Sequence, residues 1–355
     1  MKDRVNTGRQ PELDVAKVFA ILYMVIIHVY EEMSVVNYWA RPDSIFRVVL
    51  EFLGGPLAAP VFMFAMGVGM VYTKRRTPRA FAIRGLKLLL ASYILNVVRM
   101  TIPFYLAKLC GDSWGGWTVI DTIGVVDILQ FAGMAFLLTA LLEKCNAGRW
   151  VVLAVALALQ GIGLFFLNDF YYLPPVAKYT LGLFFHTNTN VAFPLTLWYV
   201  YPAFGLCFGE YLQTVRDKKQ MYNRIAIVSA AGLLGMSVGI RHLGWSPVDI
   251  FALAGDAYYI QHLPGTLWTL SVIGLQLFVC YRFSLIMSEP LVKGAESVSR
   301  KLNTIYLVQW VIIPYTLAAM EFAGLPRFQA WAVVPAGLLI AAVSIYISKF
   351  IRFKL

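Results

Sequence analysis

Charged residues are scarce in this chain of 355 residues. They make up only 14% of it, whereas roughly a quarter is typical of water-soluble domains. Hydrophobic residues account for 59%, and the mean hydropathy is +0.69. No polar stretch between the apolar runs is long enough to build a separate soluble core. The composition therefore excludes an ordinary soluble protein and predicts an integral membrane protein with a single domain over residues 1–355.

Cysteine is also rare, and its four positions show no metal-site spacing. They are Cys110, Cys145, Cys207 and Cys280, without a C-x-x-C pair or a neighbouring histidine. We therefore expect neither a disulfide framework nor a bound metal. The first apolar run, "VFAILYMVIIHV", is not followed by a small-residue cleavage site. The first helix is accordingly expected to be retained rather than removed as a signal peptide.

Acidic residues are fewer than basic ones, 19 against 30, so the net charge is +11. A basic balance is found in nucleic-acid-binding proteins, but here the basic residues form short clusters between apolar runs. That distribution is typical of membrane loops, so we expect contact with membrane lipids and no nucleic-acid partner.

Apolar windows punctuated by charge predict an all-α polytopic bundle with about ten transmembrane helices. The windows are 14–34, 51–73, 83–106, 120–142, 150–167, 192–212, 224–240, 265–286, 303–319 and 329–349. If the N-terminus is cytoplasmic, 21 of the 30 basic residues fall in inner segments and six in outer ones. This asymmetry predicts that both termini are cytoplasmic, in a bacterial plasma membrane.

The predicted outer loops, 107–119, 168–191 and 241–264, are rich in aromatic residues. Such residues form either an interfacial belt or a platform for a glycan substrate. A transporter or flippase of a small anionic or glycan substrate is an alternative function. The lack of visible internal repeats argues against that alternative.

The first window carries ionisable residues along one face. Eleven residues separate Lys17 from His28, which is about three turns and ~16 Å of rise, so both side chains project to the same side. Asp14 and Glu32 fall within about 40° of that direction. Ionisable groups within a span are costly without a partner or a polar path. The stripe is therefore a functional site, or a structural set in which Lys17 reaches the interface and His28 bonds across helices.

Histidine suits acyl transfer because the imidazole can remove a proton from an attacking hydroxyl or amine, or become acylated itself. A basic cluster follows the second window within fourteen positions: Lys74, Arg75, Arg76, Arg79, Arg84 and Lys87. It is typical of ordinary inner-loop charge that contacts anionic lipids, or of a site for the phosphates of acyl-coenzyme A.

Taken together, these segments resemble the transmembrane acyltransferase superfamily, which includes bacterial O-acetylases of surface glycans and heparan-α-glucosaminide N-acetyltransferases. The resemblance rests on Leu13-Asp14, Lys17 and His28, and on "PVFMFAMGVGM" and "RAFAIRGLKLLL". The later segments "DILQFAGMAFLLTALL", "NVAFPLTLWYVYPAFGLCFGEYL" and "SRKLNTIYLVQWVIIPY" are similar to helices of the glucosaminide type. Gln309 stands where some members have a histidine, and no role is transferred to it.

The resemblance implies a cytoplasmic acyl-CoA donor, expected to be acetyl-CoA, and an extracytoplasmic glycan or lipid-linked acceptor with a hydroxyl or amine. The residues it implies for the donor are Arg75, Arg76, Arg79, Arg84 and Lys87. The predicted catalytic residues are His28, Lys17 and Asp14, with Lys17 nearer the donor. Direct transfer and an acyl-histidine route both remain open, as does the oligomeric state, for which a homodimer is one option.

His186, in "FFHTNTN", is the second candidate for the acceptor site because it would flank the outer mouth.

Overall fold

The computed structural model describes residues 4–35, 44–109, 111, 114–167, 169–253 and 256–352. Helices account for 76% of the structure, and the described residues contain two isolated bridges but no strand, which confirms the all-α prediction. The α-helices are α1 (Pro11–Met33), α2 (Ile45–Gly54), α3 (Ala59–Tyr72), α4 (Pro78–Asn96), α5 (Ile102–Leu109), α6 (Val119–Gly124), α7 (Ile128–Lys144), α8 (Arg149–Phe165), α9 (Pro175–Gly182), α10 (Leu195–Trp198), α11 (Val200–Leu212), α12 (Lys218–His242), α13 (Asp256–Tyr259), α14 (Leu263–Ser284), α15 (Glu289–Arg300), α16 (Leu302–Phe322) and α17 (Ala330–Ser348).

Seven helical stretches among the described residues are long and apolar enough to cross a membrane. They are Pro11–Met33, Ile45–Tyr72, Pro78–Leu109, Lys218–His242, Leu263–Ser284, Leu302–Phe322 and Ala330–Ser348. The chain is therefore an integral membrane protein. The predicted count of about ten spans is not confirmed.

The three remaining windows form helices shorter than the ~20 residues that a bilayer requires. The window 120–142 is divided by Asp127, whose side chain caps the first turn of α7. The window 150–167 becomes α8, a helix of 17 residues. The window 192–212 begins with irregular backbone around Pro194 and then forms α10 and α11. Apolar composition alone did not reveal these interruptions.

Helix α1 lies at the centre of the bundle and packs against α2, α3, α14, α15, α16 and α17. Most of its side chains are buried, including Ala20, Ile21 and Val25. The main cluster of buried apolar residues extends from Leu13 on α1 to Ala341 on α17. Because α1 contacts so many neighbours, polar residues on it are presented to the bundle interior rather than to lipid.

Each end of α1 is held by a different part of the chain. Before α1, Asn6 donates to the carbonyls of Leu212 and Val215, which precede α12. After α1, the backbone of Val35 donates to Phe328, in the loop before α17, at 2.9 Å. The N-terminal tail and the start of α12 therefore share one side of the bundle, as the charge pattern requires. Which side is cytoplasmic stays the prediction made from that pattern.

A π-helical turn, Val97–Thr101, joins α4 to α5. Such turns widen the helix locally and occur often at functional sites. This one carries the buried Arg99. The three cysteines within the described residues, Cys145, Cys207 and Cys280, are free thiols; Cys110 lies outside them.

Candidate active site

Asp14 and Lys17 lie near the N-terminal end of α1 but have different surroundings. The buried Asp14 carboxylate accepts a hydrogen bond from Arg9 Nη2 at 2.9 Å and from Ser299 Oγ at 2.6 Å. It therefore ties the N-terminal tail to α15. Lys17 instead lines a cavity of about 760 Å³. Asp14 lies ~21 Å below His28 along the helix axis, so the structure does not bring these two side chains together.

The cavity beside Lys17 is basic. The cationic lining residues are Lys17, Arg84, Arg300, Lys301, Lys349 and Arg352, and no aspartate or glutamate is among the described lining residues. We call this space the basic cavity. The Arg84 guanidinium lies 4.7 Å from the centre of the Phe136 ring, which also lines it. Cationic charge in this concave space is suited to an anionic ligand.

Arg84 is the only one of the predicted donor-binding residues that lines the basic cavity. Arg75, Arg79 and Lys87 are exposed, as Arg84 is, but they do not line the cavity. Arg76 is bound by two carboxylates: its Nη2 lies 2.6 Å from Glu143 and 2.9 Å from Glu210. Burial opposes the charge on Arg76, but the hydrogen bonds to both glutamates raise its pKa above the usual value. Arg76 thus links the α3–α4 connection to α7 and α11.

His28 lies on the opposite half of α1 and is half-buried. Its Nδ1 lies 3.2 Å from Oε1 of the fully buried Gln309, and its ring is 4.2 Å from that of Trp310. In this orientation of the Gln309 amide, its oxygen accepts a hydrogen bond from Nδ1–H of the imidazole. In the neutral ring, Nε2 then carries the available lone pair. That is the form required of a general base or a nucleophile.

A buried polar network lies next to this histidine. Arg99 donates from Nη1 to Asp127 at 2.9 Å, and from Nη2 to Asn96 at 3.1 Å. Its guanidinium lies 4.5 Å from the Trp310 ring centre. Tyr306 donates to the same oxygen of Asp127 at 2.7 Å. The π turn, α7 and α16 are thereby joined around the ring that packs against His28.

His28 and this network line a second cavity of about 910 Å³, which we call the aromatic cavity. Its aromatic lining residues are Trp117, Phe193, Tyr258, Tyr259, Tyr306, Trp310, Tyr315 and Phe322. The carboxylates among the described lining residues are Glu31, Glu32, Asp127 and Glu321, and the cation is Arg99. His186, the second sequence candidate, lines the same cavity as His28, together with Asn190.

A wall of side chains on shared helices lies between the two cavities. Four helices contribute residues to both, and on three of them, α3, α7 and α16, the residues on either side of the wall are two to four positions apart. The facing pairs are Ala59 and Phe62 on α3, Ile128 and Ala132 on α7, and Tyr306 and Thr304 on α16. Such spacings correspond to ~3–6 Å of helix rise. On these three helices the two linings come within about one helical turn of each other, whereas along α1 Lys17 and His28 are ~16 Å apart.

The family description "heparan-α-glucosaminide N-acetyltransferase, catalytic" matches residues 9–238, close to two thirds of the chain. The chain belongs to this family. Membership implies acyltransferase activity in a membrane protein. No individual curated protein matches the chain. The matched part contains Lys17, His28, Arg84, Arg99 and Asp127. The lining residues on α13, α15 and α16 and in the segment after α17 lie beyond it.

Sequence reasoning missed several residues of the site. Arg99 and Asp127 both fall within predicted spans, and two opposite charges at membrane depth are a signal for a functional pair. The predicted site nevertheless does not include this pair. Gln309 and Trp310 carry no local signal, because only the packing of α16 against α1 gives them a role. Within the described ranges, no group of three or more His, Cys, Asp or Glu side chains is arranged to hold a metal ion.

Proposed function

We propose that the chain is an acetyl-CoA-dependent membrane acyltransferase that uses His28 to transfer the acetyl group to an acceptor on the other side of the membrane. The observation that carries this proposal is the placement of His28 in one large cavity, whose lining comes within about one helical turn of that of a second, basic cavity on three shared helices. Family membership supports acyl transfer as the chemistry.

The basic cavity is the proposed donor site. Arginine and lysine side chains neutralise phosphates through charge-assisted hydrogen bonds. Lys17 and Arg84, which the sequence predicted, are joined there by cations from the α15–α16 junction and the end of α17. We therefore place the nucleotide phosphates in this cavity and direct the thioester past the wall. We expect smaller contributions to donor binding from Arg75, Arg79 and Lys87, which do not line the cavity, and from Arg76, which is paired with two glutamates.

The aromatic cavity is the proposed acceptor site. Aromatic rings combine a large apolar face with a polar edge, and they attract cations. The family description names an N-acetyltransferase of a glucosaminide. An amino sugar fits the carboxylates and rings of the lining, so we propose a carbohydrate amine as the acceptor, with a hydroxyl as the competing choice.

Two routes use the same groups. In direct transfer, His28 takes the proton from the acceptor nitrogen as that nitrogen attacks the thioester carbon, and coenzyme A leaves as the thiolate. In the two-step route, Nε2 attacks the thioester, the C–S bond breaks, and the acetyl group then passes from nitrogen to the acceptor. General acid–base help of this kind contributes ~10²–10⁴-fold to a rate.

Labelled acetyl-CoA tests the proposal. Purified protein is incubated with it in the presence and absence of glucosamine, and label is followed to protein, water and sugar. We expect labelled N-acetylglucosamine from the wild-type protein and none from His28→Ala. Label that resides on the protein and requires His28 indicates the two-step route.

His242→Ala is the matched control, because His242 is exposed at the end of α12. It should retain full activity. Transfer at wild-type rate by His28→Ala would reject the assignment of the histidine.

A further inference from the structure

The rim of the aromatic cavity has two chemically different parts. Its exposed polar lining residues are Glu32, Thr189 and Glu321. Its exposed apolar lining residues are Leu106, Ala318 and Phe322. Leu106 is 52% exposed and Phe322 is 93% exposed. A cavity that served only a water-soluble substrate would have no use for this second, apolar part of the rim.

The apolar part belongs to helices that qualify as membrane spans. Leu106 lies in the stretch Pro78–Leu109, and Ala318 and Phe322 lie one turn apart on Leu302–Phe322. Exposed apolar side chains at such positions face hydrocarbon, which solvates them as well as a protein interior does. This part of the rim therefore opens toward the bilayer rather than toward water.

The apolar part of the rim is built from α5 and α16. The two segments are joined where Tyr315 donates from its hydroxyl to the carbonyl of Val98, at 3.0 Å. Pro314 lies next to that join inside α16, and Pro103 follows the π turn at the start of α5. Both features bend helices, since proline removes a backbone hydrogen bond and a π turn inserts a residue.

Beyond the join, side chains of both helices line the cavity. Pro103 and Ala107 of α5 and Leu317 of α16 are all lining residues. The lining continues inward through Met100 to Trp310, whose ring packs against His28. An apolar path thus leads from the side of the bundle to the catalytic imidazole.

We propose that this gap, the lateral portal, admits the hydrocarbon chain of an amphiphilic acceptor. The acceptor is a carbohydrate carried on a lipid, whose sugar reaches His28 while its chain remains in the membrane leaflet. The inference rests on the proposed function and specifies its substrate class. A phospholipid or a second copy of the chain in the portal are the competing occupants.

Two acceptors with the same headgroup test the portal: methyl glucosaminide and a long-chain alkyl glucosaminide. The protein is reconstituted in phosphatidylcholine nanodiscs and assayed with labelled acetyl-CoA. Burying even two methylene groups corresponds to about tenfold in affinity. We therefore expect the alkyl acceptor to have at least ~tenfold higher kcat/KM. Equal values for the two acceptors would overturn the inference and leave the proposed function standing. If neither acceptor is acetylated, the proposed function itself fails.

A pair of variants separates entry through the portal from simple enrichment of the alkyl acceptor in the nanodisc. Ala318→Trp fills the rim, whereas Ala319→Trp places the same bulk on the neighbouring exposed position, which does not line the cavity. We expect Ala318→Trp to raise KM for the alkyl acceptor by a larger factor than KM for the methyl acceptor. Ala319→Trp should change neither. The inference is wrong if both variants act alike, or if Ala318→Trp changes only the oligomeric state.

Discussion

The two cavities along α1 differ in almost every respect except the helix that they share. The basic cavity is lined by cations from distant segments, with Lys17 from α1. The aromatic cavity surrounds His28 with rings, carboxylates and a hydrogen-bonded network that contains the cavity's arginine. The cations of the basic cavity are suited to binding an anionic ligand. The hydrogen bonds of the aromatic cavity hold its side chains in fixed positions. Binding and chemistry are therefore expected to respond to different substitutions.

The largest expected effect follows from breaking the network of the aromatic cavity. Asp127→Asn removes the counter-ion of Arg99, whose side chain is only 5% exposed. An uncompensated buried charge costs about 3–5 kcal/mol. We expect that loss of stability in thermal or denaturant unfolding in detergent, together with loss of acetyl transfer.

Glu321→Gln is the matched control, because Glu321 pairs with Arg327 where both side chains are about half exposed. Exposed pairs contribute ~0–1 kcal/mol. Equal destabilisation by the two substitutions would contradict the expectation that the buried pair contributes more to stability than the exposed pair.

A second prediction concerns the orientation of the imidazole. Gln309→Leu removes the acceptor for His28 Nδ1 and places an apolar side chain of similar size at this fully buried position. We expect kcat for acetyl transfer to fall about tenfold, since a typical hydrogen bond contributes ~1 kcal/mol and the ring loses its fixed tautomer. KM for acetyl-CoA should stay constant, and Gln309→Asn should restore part of the rate. A change confined to KM would argue against positioning.

The basic cavity should show the opposite kinetic pattern. Arg84→Ala removes a lining cation, and charge-assisted hydrogen bonds contribute about 1.5–3 kcal/mol. We expect KM for acetyl-CoA to rise about tenfold with kcat unchanged. Arg79→Ala is the control, because Arg79 is exposed in the same basic cluster and does not line the cavity. Similar effects of the two substitutions would favour a diffuse surface charge over a built donor site.

The smallest effect is expected from salt. Screening shortens the reach of exposed charges to ~10 Å at 0.1 M and ~3 Å at 1 M. Steady-state assays across this range should show KM for acetyl-CoA rising a few-fold, while KM for an uncharged acceptor analogue changes little. An equal dependence for both substrates would remove the contrast between the two cavities.

Sequence patterns predicted the all-helical membrane fold and the polar stripe of α1 because both depend on local periodicity. The ten-span count is not confirmed where Asp127 and the backbone around Pro194 interrupt apolar windows. Only part of the proposed donor site could be predicted from the sequence. Lys17 and Arg84 were identified from the first helices, but Arg300 and Arg352 reach the same cavity through tertiary packing that charge spacing does not encode.

The wall between the cavities has an electrical consequence. Ala59, Phe62 and Ala132, which are buried and apolar, form part of it. If coenzyme A keeps its phosphates on one side, only an uncharged acetyl group crosses the wall. Moving an elementary charge through 100 mV involves about 2.3 kcal/mol of electrical work, whereas moving a neutral group involves none. Transfer by the proposed route would then move no charge through the wall, and its rate would not depend directly on the membrane voltage.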